Sequence, residues 1–164
     1  KPTMELAQVF QRERFPNIVV ALDGTVVATF GTSSVKARLS SDAGKTWGEE
    51  IMISKPGFQC GGLTVDEGTG AIFAFVEERH PPAPIHVFKS LDHGKSWKKA
   101  EVVIKPDSKG NLPSMHMNDH GITLRHGKHA GRIIRPSRWY AGANAHEKWP
   151  EHYTNAVYLS LIHI

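Results

Sequence analysis

Short polar stretches between apolar runs hold most of the residues in this chain that could do chemistry. They contain Arg14; Glu78, Arg79 and His80; His116, Asp119 and His120; and Arg138, followed by His146 and His152. Trp139, Tyr140, Trp149 and Tyr153 fall in the last of these stretches. Guanidinium groups are planar and permanently charged, and they hold carboxylates bidentately. Histidine exchanges a proton near neutral pH, and a carboxyl or phenol can complete an acid–base pair. Aromatic rings add flat apolar walls with a polar handle. Arg14, Arg79, His80, His116, Arg138, Trp139 and His146 are the candidate binding groups, and Glu78, Asp119, His120 and Tyr140 the candidate acid, base or nucleophile.

Plainer roles compete for each of these residues. Loop carboxylates cap turns, single histidines are ordinary polar loop residues, and aromatics pack beneath long loops. His116, Asp119 and His120 could also ligate a metal, but their spacing matches no specific ligand motif. No metal and no cofactor is therefore expected.

The elements that must position these side chains are announced by a repeat. Ser40-Ser41-Asp42-Ala43-Gly44-Lys45-Thr46-Trp47 is echoed fifty residues later by Ser90-Leu91-Asp92-His93-Gly94-Lys95-Ser96-Trp97. Self-similarity at such a period marks a repeat architecture. Asp can bond backbone N–H groups just ahead of it, and Gly supplies the positive φ that closes a hairpin. Asp42 and Asp92 are thereby assigned to turns rather than to catalysis. Alternating and apolar runs around them read as strands. The first group is Asn17–Ala21, Thr25–Phe30, Val35–Leu39 and Glu50–Ile53. The second is Gly61–Val65, Ala71–Glu77, Ile85–Lys89 and Ala100–Ile104, and the third Gly121–Arg125, Arg132–Ser137 and Asn155–Ser160. In a meander of such strands, the repeated turns and the first hairpin turns share one face. The chemistry-bearing loops share the other.

The Ser-x-Asp-x-Gly-x-Thr-Trp motif resembles the Asp-box (BNR repeat) of the sialidase (neuraminidase) superfamily. That resemblance implies an all-β fold, a β-propeller of four-stranded antiparallel blades. About three of a probable six blades are expected, at about 15–54, 60–105 and 120–164, the last incomplete. Arg14-Phe15-Pro16 resembles the Arg-Ile-Pro segment that opens the sialidase propeller, which implies a carboxylate-binding role for Arg14. The family's acid/base Asp has no counterpart in Gly31-Thr32-Ser33-Ser34, so Glu78 or Asp119 would have to substitute. The resemblance implies a glycoside hydrolase acting on terminal acidic sugars, in a secreted or periplasmic setting. A polysaccharide lyase using His, Tyr and Arg on uronic-acid glycans is the alternative, as is a non-catalytic glycan-binding propeller.

Bulk properties agree with an ordinary globular domain of many short strands: 40% hydrophobic and 22% charged residues, with fifteen Gly and ten Pro. A net charge of +4 without a basic block argues against nucleic acid as partner. No apolar run approaches the ~18 residues of a membrane span, so no membrane partner is expected. The one cysteine, Cys60, permits no intrachain disulfide.

Overall fold

The computed structural model describes residues 4–11, 14–59, 61–116, 119–139 and 153–159. The described residues contain strands and turns and no helix. The first sheet is an unbroken meander of β1 (Asn17–Val20), β2 (Val26–Phe30), β3 (Val35–Ser40) and β4 (Ile51–Ser54). The second comprises β5 (Phe58–Gln59), β6 (Thr64–Val65), β7 (Ile72–Glu77), β8 (Ile85–Ser90) and β9 (Lys98–Ala100). Both β5 and β6 pair with β7, so the inner edge of this sheet is one strand interrupted by a loop. The third sheet holds β10 (Ile122–Thr123), β11 (Ile133–Trp139) and β12 (Tyr153–Leu159). All pairing is antiparallel. The architecture is all-β and propeller-like.

Hydrophobic alternation decides how the sheets stack. Every side chain of β7 is buried, because β7 is covered on both faces. Ile72, Ala74 and Val76 face the first sheet and join Val19, Val27, Val35 and Ala37 in one core. Phe73 and Phe75 point the other way, to Met115 and Ile133 at the third sheet. A two-residue period on a strand produces this division directly. Burying each Phe contributes roughly 2–3 kcal/mol of transfer free energy.

The two repeated turns have matching hydrogen bonds. Ser40 and Ser90 Oγ each accept the N–H of Gly44 and Gly94 at 2.8 Å and donate to Asp42 and Asp92 at 2.7 and 2.8 Å. The Asp carboxylates accept the backbone N–H and hydroxyl of Thr46 and Ser96. Trp47 and Trp97 Nε1 donate back to the Gly44 and Gly94 carbonyls at 3.1 and 3.0 Å. These bonds, led by that from the Thr46 hydroxyl, hold the Asp42 carboxyl well below the usual carboxylate range.

A polar contact and an ion pair tie the hairpins at this end of the molecule. His93 of the second repeated turn lies 3.6 Å from Asp23 in the first sheet's opening hairpin. Glu67 and Arg125, in the corresponding hairpins of the next two sheets, form a bidentate pair at 2.7 and 2.8 Å. The turns thus share one face, and the loops that carry the candidate chemistry emerge on the other.

Strand ends shift by one or two residues from the sequence expectation throughout, and three strands differ more in extent or position. The strand expected at Gly61–Val65 is only Thr64–Val65, and Phe58–Gln59 pairs ahead of it. The strand expected at Ala100–Ile104 runs over Lys98–Ala100 instead, where pairing with β8 wins over the apolar run that follows. The strand expected at Gly121–Arg125 shortens to Ile122–Thr123, its remaining residues bonding in the hairpin through Leu124 and Arg132.

Candidate functional site

Four chain segments meet on the loop face. Phe15 precedes β1, Phe58 begins β5, His80 lies in the turn after β7, and His116 lies in the long connection to the third sheet. Their rings form one cluster: His80–His116 centroids are 4.7 Å apart, Phe15–His116 5.2 Å, Phe58–His80 5.2 Å and Phe58–His116 5.3 Å. Phe15 has a φ of 59°, a left-handed conformation that costs a bulky residue of order 1–3 kcal/mol. Packing against Phe58 and His116 holds it there. The Arg14 guanidinium lies 4.8 Å over the Phe15 ring.

His116 is the centre of this cluster. It is only 4% exposed, and its Nδ1 is buried with no hydrogen-bond partner among the described residues. Burial pushes its pKa down to about 4, helped by the neighbouring His80, Arg138 and Arg14. The imidazole is therefore neutral at physiological pH, under the field of two permanent cations. Its backbone is fixed from below: the Met115 N–H donates to the buried Glu77 Oε1 at 3.3 Å, and Ser114 and Arg138 exchange backbone hydrogen bonds at 2.6 and 2.9 Å.

Asp119 and His120 form a second unit. Asp119 Oδ1 accepts the His120 backbone N–H at 2.7 Å and stands 2.8 Å from its Nδ1. Those two bonds, the backbone one first, lower the Asp119 carboxyl. The His120 ring, half exposed, is so oriented by a carboxylate at its Nδ1, leaving Nε2 on the far side of the ring. The backbone of His120 crowds Gly62: a Cβ added there would stand 2.4 Å from the His120 nitrogen. Gly62 borders Asn17, whose Oδ1 accepts the Leu63 N–H at 2.8 Å. The approaches to the inner strands of all three sheets thus touch one another beneath this dyad.

Arg135 holds that junction together. It is fully buried, stacked 4.4 Å over Phe75, with Nη1 donating to the Gly62 carbonyl and to Thr64 Oγ1. Thr64 Oγ1 also accepts the Gly121 N–H.

The structure therefore gathers Arg14, His80, His116 and Arg138 and sets Asp119–His120 at the inner strands. Glu78 sits on the rim. It lies 2.8 Å from His86 Nε2, which lowers its carboxyl, and 3.8 Å from Arg79. Neither Glu78 nor Asp119 is held protonated, as a general acid acting at neutral pH needs to be. Trp139 ends β11 beside Arg138. Tyr140 and His146 lie outside the described residues. Among the described residues no group of three or more His, Cys, Asp or Glu is placed to hold a metal ion. Sequence reading missed Phe15, Phe58, Glu77 and Arg135; apolar rings and strand residues carry no signal of their own for a site.

No family model matches the chain. Among characterised proteins, the chain is 30% identical to a sialidase of Micromonospora viridifaciens, in an alignment covering 77% of this chain and 25% of that protein. Several solved structures share the fold, two of them over most of this chain. A protein of unknown function from Dyadobacter fermentans superposes with a TM-score of 0.57 at 17% identity, over 87% of this chain and 48% of that one. A GH43 β-1,3-galactosidase superposes with a TM-score of 0.62 at 11% identity, over 89% and 30% respectively. The chain spans about a quarter of the length of the sialidase it matches. With its paired Ser-x-Asp-x-Gly turns, antiparallel sheets and Arg14 before the first strand, this chain is a homologue of the sialidases.

Proposed function

We propose that the protein is a sialidase-type glycoside hydrolase acting on terminal acidic sugars of glycans. One observation carries this reading: the charges of Arg14 and Arg138 both act on a buried, neutral His116, and the next residues of the same connection form the Asp119–His120 imidazole–carboxylate pair. A sugar carboxylate placed between the two guanidinium groups would gain charge-assisted bonds and relieve their mutual repulsion. The neutral His116 can donate a further hydrogen bond to that carboxylate or to a ring hydroxyl. His120, sustained by Asp119, supplies the proton to the departing glycosidic oxygen, and water adds at the anomeric carbon. The homology to a sialidase supports the same substrate class. The same reading carries with it a larger propeller of about six blades, to which this chain would give about three, and a secreted or periplasmic setting.

The test is turnover of an aryl glycoside of a nonulosonic acid beside the corresponding uronide. Release of the aryl alcohol from the first supports the hydrolase, and inertness toward both leaves a glycan-binding propeller. A second reading follows from the ionised state of Glu78 and Asp119. A uronate lyase could use His120 to remove the proton α to the carboxylate, while the glycosidic oxygen leaves and takes a proton from solvent. An unsaturated, ultraviolet-absorbing product would replace the hydrolase by the lyase.

A further inference from the structure

Ser114, Met115 and His116 form a run of backbone that lies outside the strands of all three sheets. At one end Ser114 exchanges backbone hydrogen bonds with Arg138, and at the other the His116 imidazole joins the ring cluster. Ser114 Oγ accepts the His116 N–H at 3.2 Å and tightens the run. Met115 between them is fully buried, its Sδ 3.4 Å from Arg135 Nε. The Met115 N–H donates to Glu77 Oε1 at 3.3 Å. A side chain of the second sheet thus holds the middle of the run.

Glu77 ends β7, in register with Phe58 on one side and Ile85 on the other, and it is wholly buried. Burying a carboxyl group is costly, so its presence here calls for a use. The repeat supplies an internal comparison. Ser40 pairs with Val26 and Ser90 with Ile72, which sets Gly31 in the first sheet at the place of Glu77 in the second. A Cβ at Gly31 would stand 1.7 Å from the Ser34 carbonyl oxygen, so the first sheet turns its corner there with no side chain. The geometry of the repeat therefore does not demand an acid at this position. What Glu77 meets in the second sheet is the run that carries His116.

We propose that Glu77 is a positioning residue for the acidic-sugar site, fixing His116 and Arg138 in place through the Met115 peptide. This rests on the acidic-sugar reading of that cluster. The hydrogen bond reaches the backbone and not the imidazole, so the reach of the side chain matters more than its charge.

Reach and charge can be varied separately. Glu77→Asp keeps the acid and draws it back by one methylene, whereas Glu77→Gln keeps an acceptor at full reach and removes the acid. On the aryl glycoside of a nonulosonic acid, Glu77→Asp should raise KM about tenfold and leave kcat within about threefold of the parent, the mark of lost binding rather than lost chemistry. Glu77→Gln should bring KM back to within about threefold of the parent. The His116 ring protons, shifted in the parent by the ring currents of Phe15, Phe58 and His80, should hold their NMR positions in Glu77→Gln and move in Glu77→Asp. If the parent neither turns over nor binds the acidic sugar, the reading of the site falls, and the NMR comparison still decides whether Glu77 places His116. Unmoved His116 signals in Glu77→Asp, or damage to Glu77→Gln as large as that to Glu77→Asp, would overturn the proposal. A Glu77→Asp protein that does not fold would make Glu77 a residue of the fold alone and would overturn it too.

Discussion

The imidazoles of His80 and His116 meet edge to face with their centroids 4.7 Å apart, although thirty-six residues separate them in the chain. A turn of the second sheet and the connection into the third create this contact. His116 is driven below its ordinary range, because burial strips its imidazolium of solvent and His80 and two arginines oppose its positive charge.

A pH dependence of stability follows. The folded-state pKa of His116 is lowered to about 4 from 6.5, so between these values the unfolded chain binds more protons. Its contribution is complete above pH 6.5 and is lost as pH falls toward 4. Urea unfolding should show the parent losing about 2 kcal/mol more than His116→Gln between pH 7 and pH 5. Parallel losses in both proteins would show that His116 is not the group responsible.

Gly62 is expected to be irreplaceable for activity. A Cβ there would press on the His120 backbone at 2.4 and 2.5 Å, and backbone cannot yield as a flexible side chain can. Gly62→Ala should cut kcat by tenfold or more while circular dichroism stays that of the parent. A variant with unchanged kcat would detach the dyad from catalysis.

Arg135 should prove a stability residue. Removing its guanidinium leaves the Gly62 carbonyl and Thr64 hydroxyl without this donor in the core. Arg135→Met should lower unfolding free energy by roughly 3–5 kcal/mol, as for other broken buried charge networks. A loss under 1 kcal/mol in denaturant titration would contradict this account of the junction.

The repeated turns should matter for folding and not for turnover. Ser90 is fully buried and its Oγ both accepts the Gly94 N–H and donates to Asp92. Ser90→Ala strands the amide and should cost roughly 1–3 kcal/mol. Specific activity of the folded fraction should equal that of the parent.

Much of this architecture is legible in the sequence, and the reason is local. The Ser40–Trp47 and Ser90–Trp97 turns close through bonds within four residues, and the β2 and β3 strands follow from simple apolar runs. The site is less legible because it is made by contacts over long separations. Arg14, His80, His116 and Arg138 carry chemistry that draws attention singly, but nothing in their spacing says that Phe15 and Phe58 wedge between them. Asp107 was equally silent: its turn departs from the repeated motif by placing Gly110 three residues on rather than two.

The central claim is that Arg14 and Arg138 hold a sugar carboxylate beside His116. It is tested most directly by following the His116 ring by NMR through a pH titration, with and without a saturating free nonulosonic acid. Bound carboxylate should raise the His116 pKa from about 4 toward neutrality, because its negative charge offsets the arginines, and Arg14→Ala should abolish the effect. An unchanged His116 titration in the presence of the sugar acid would contradict the account.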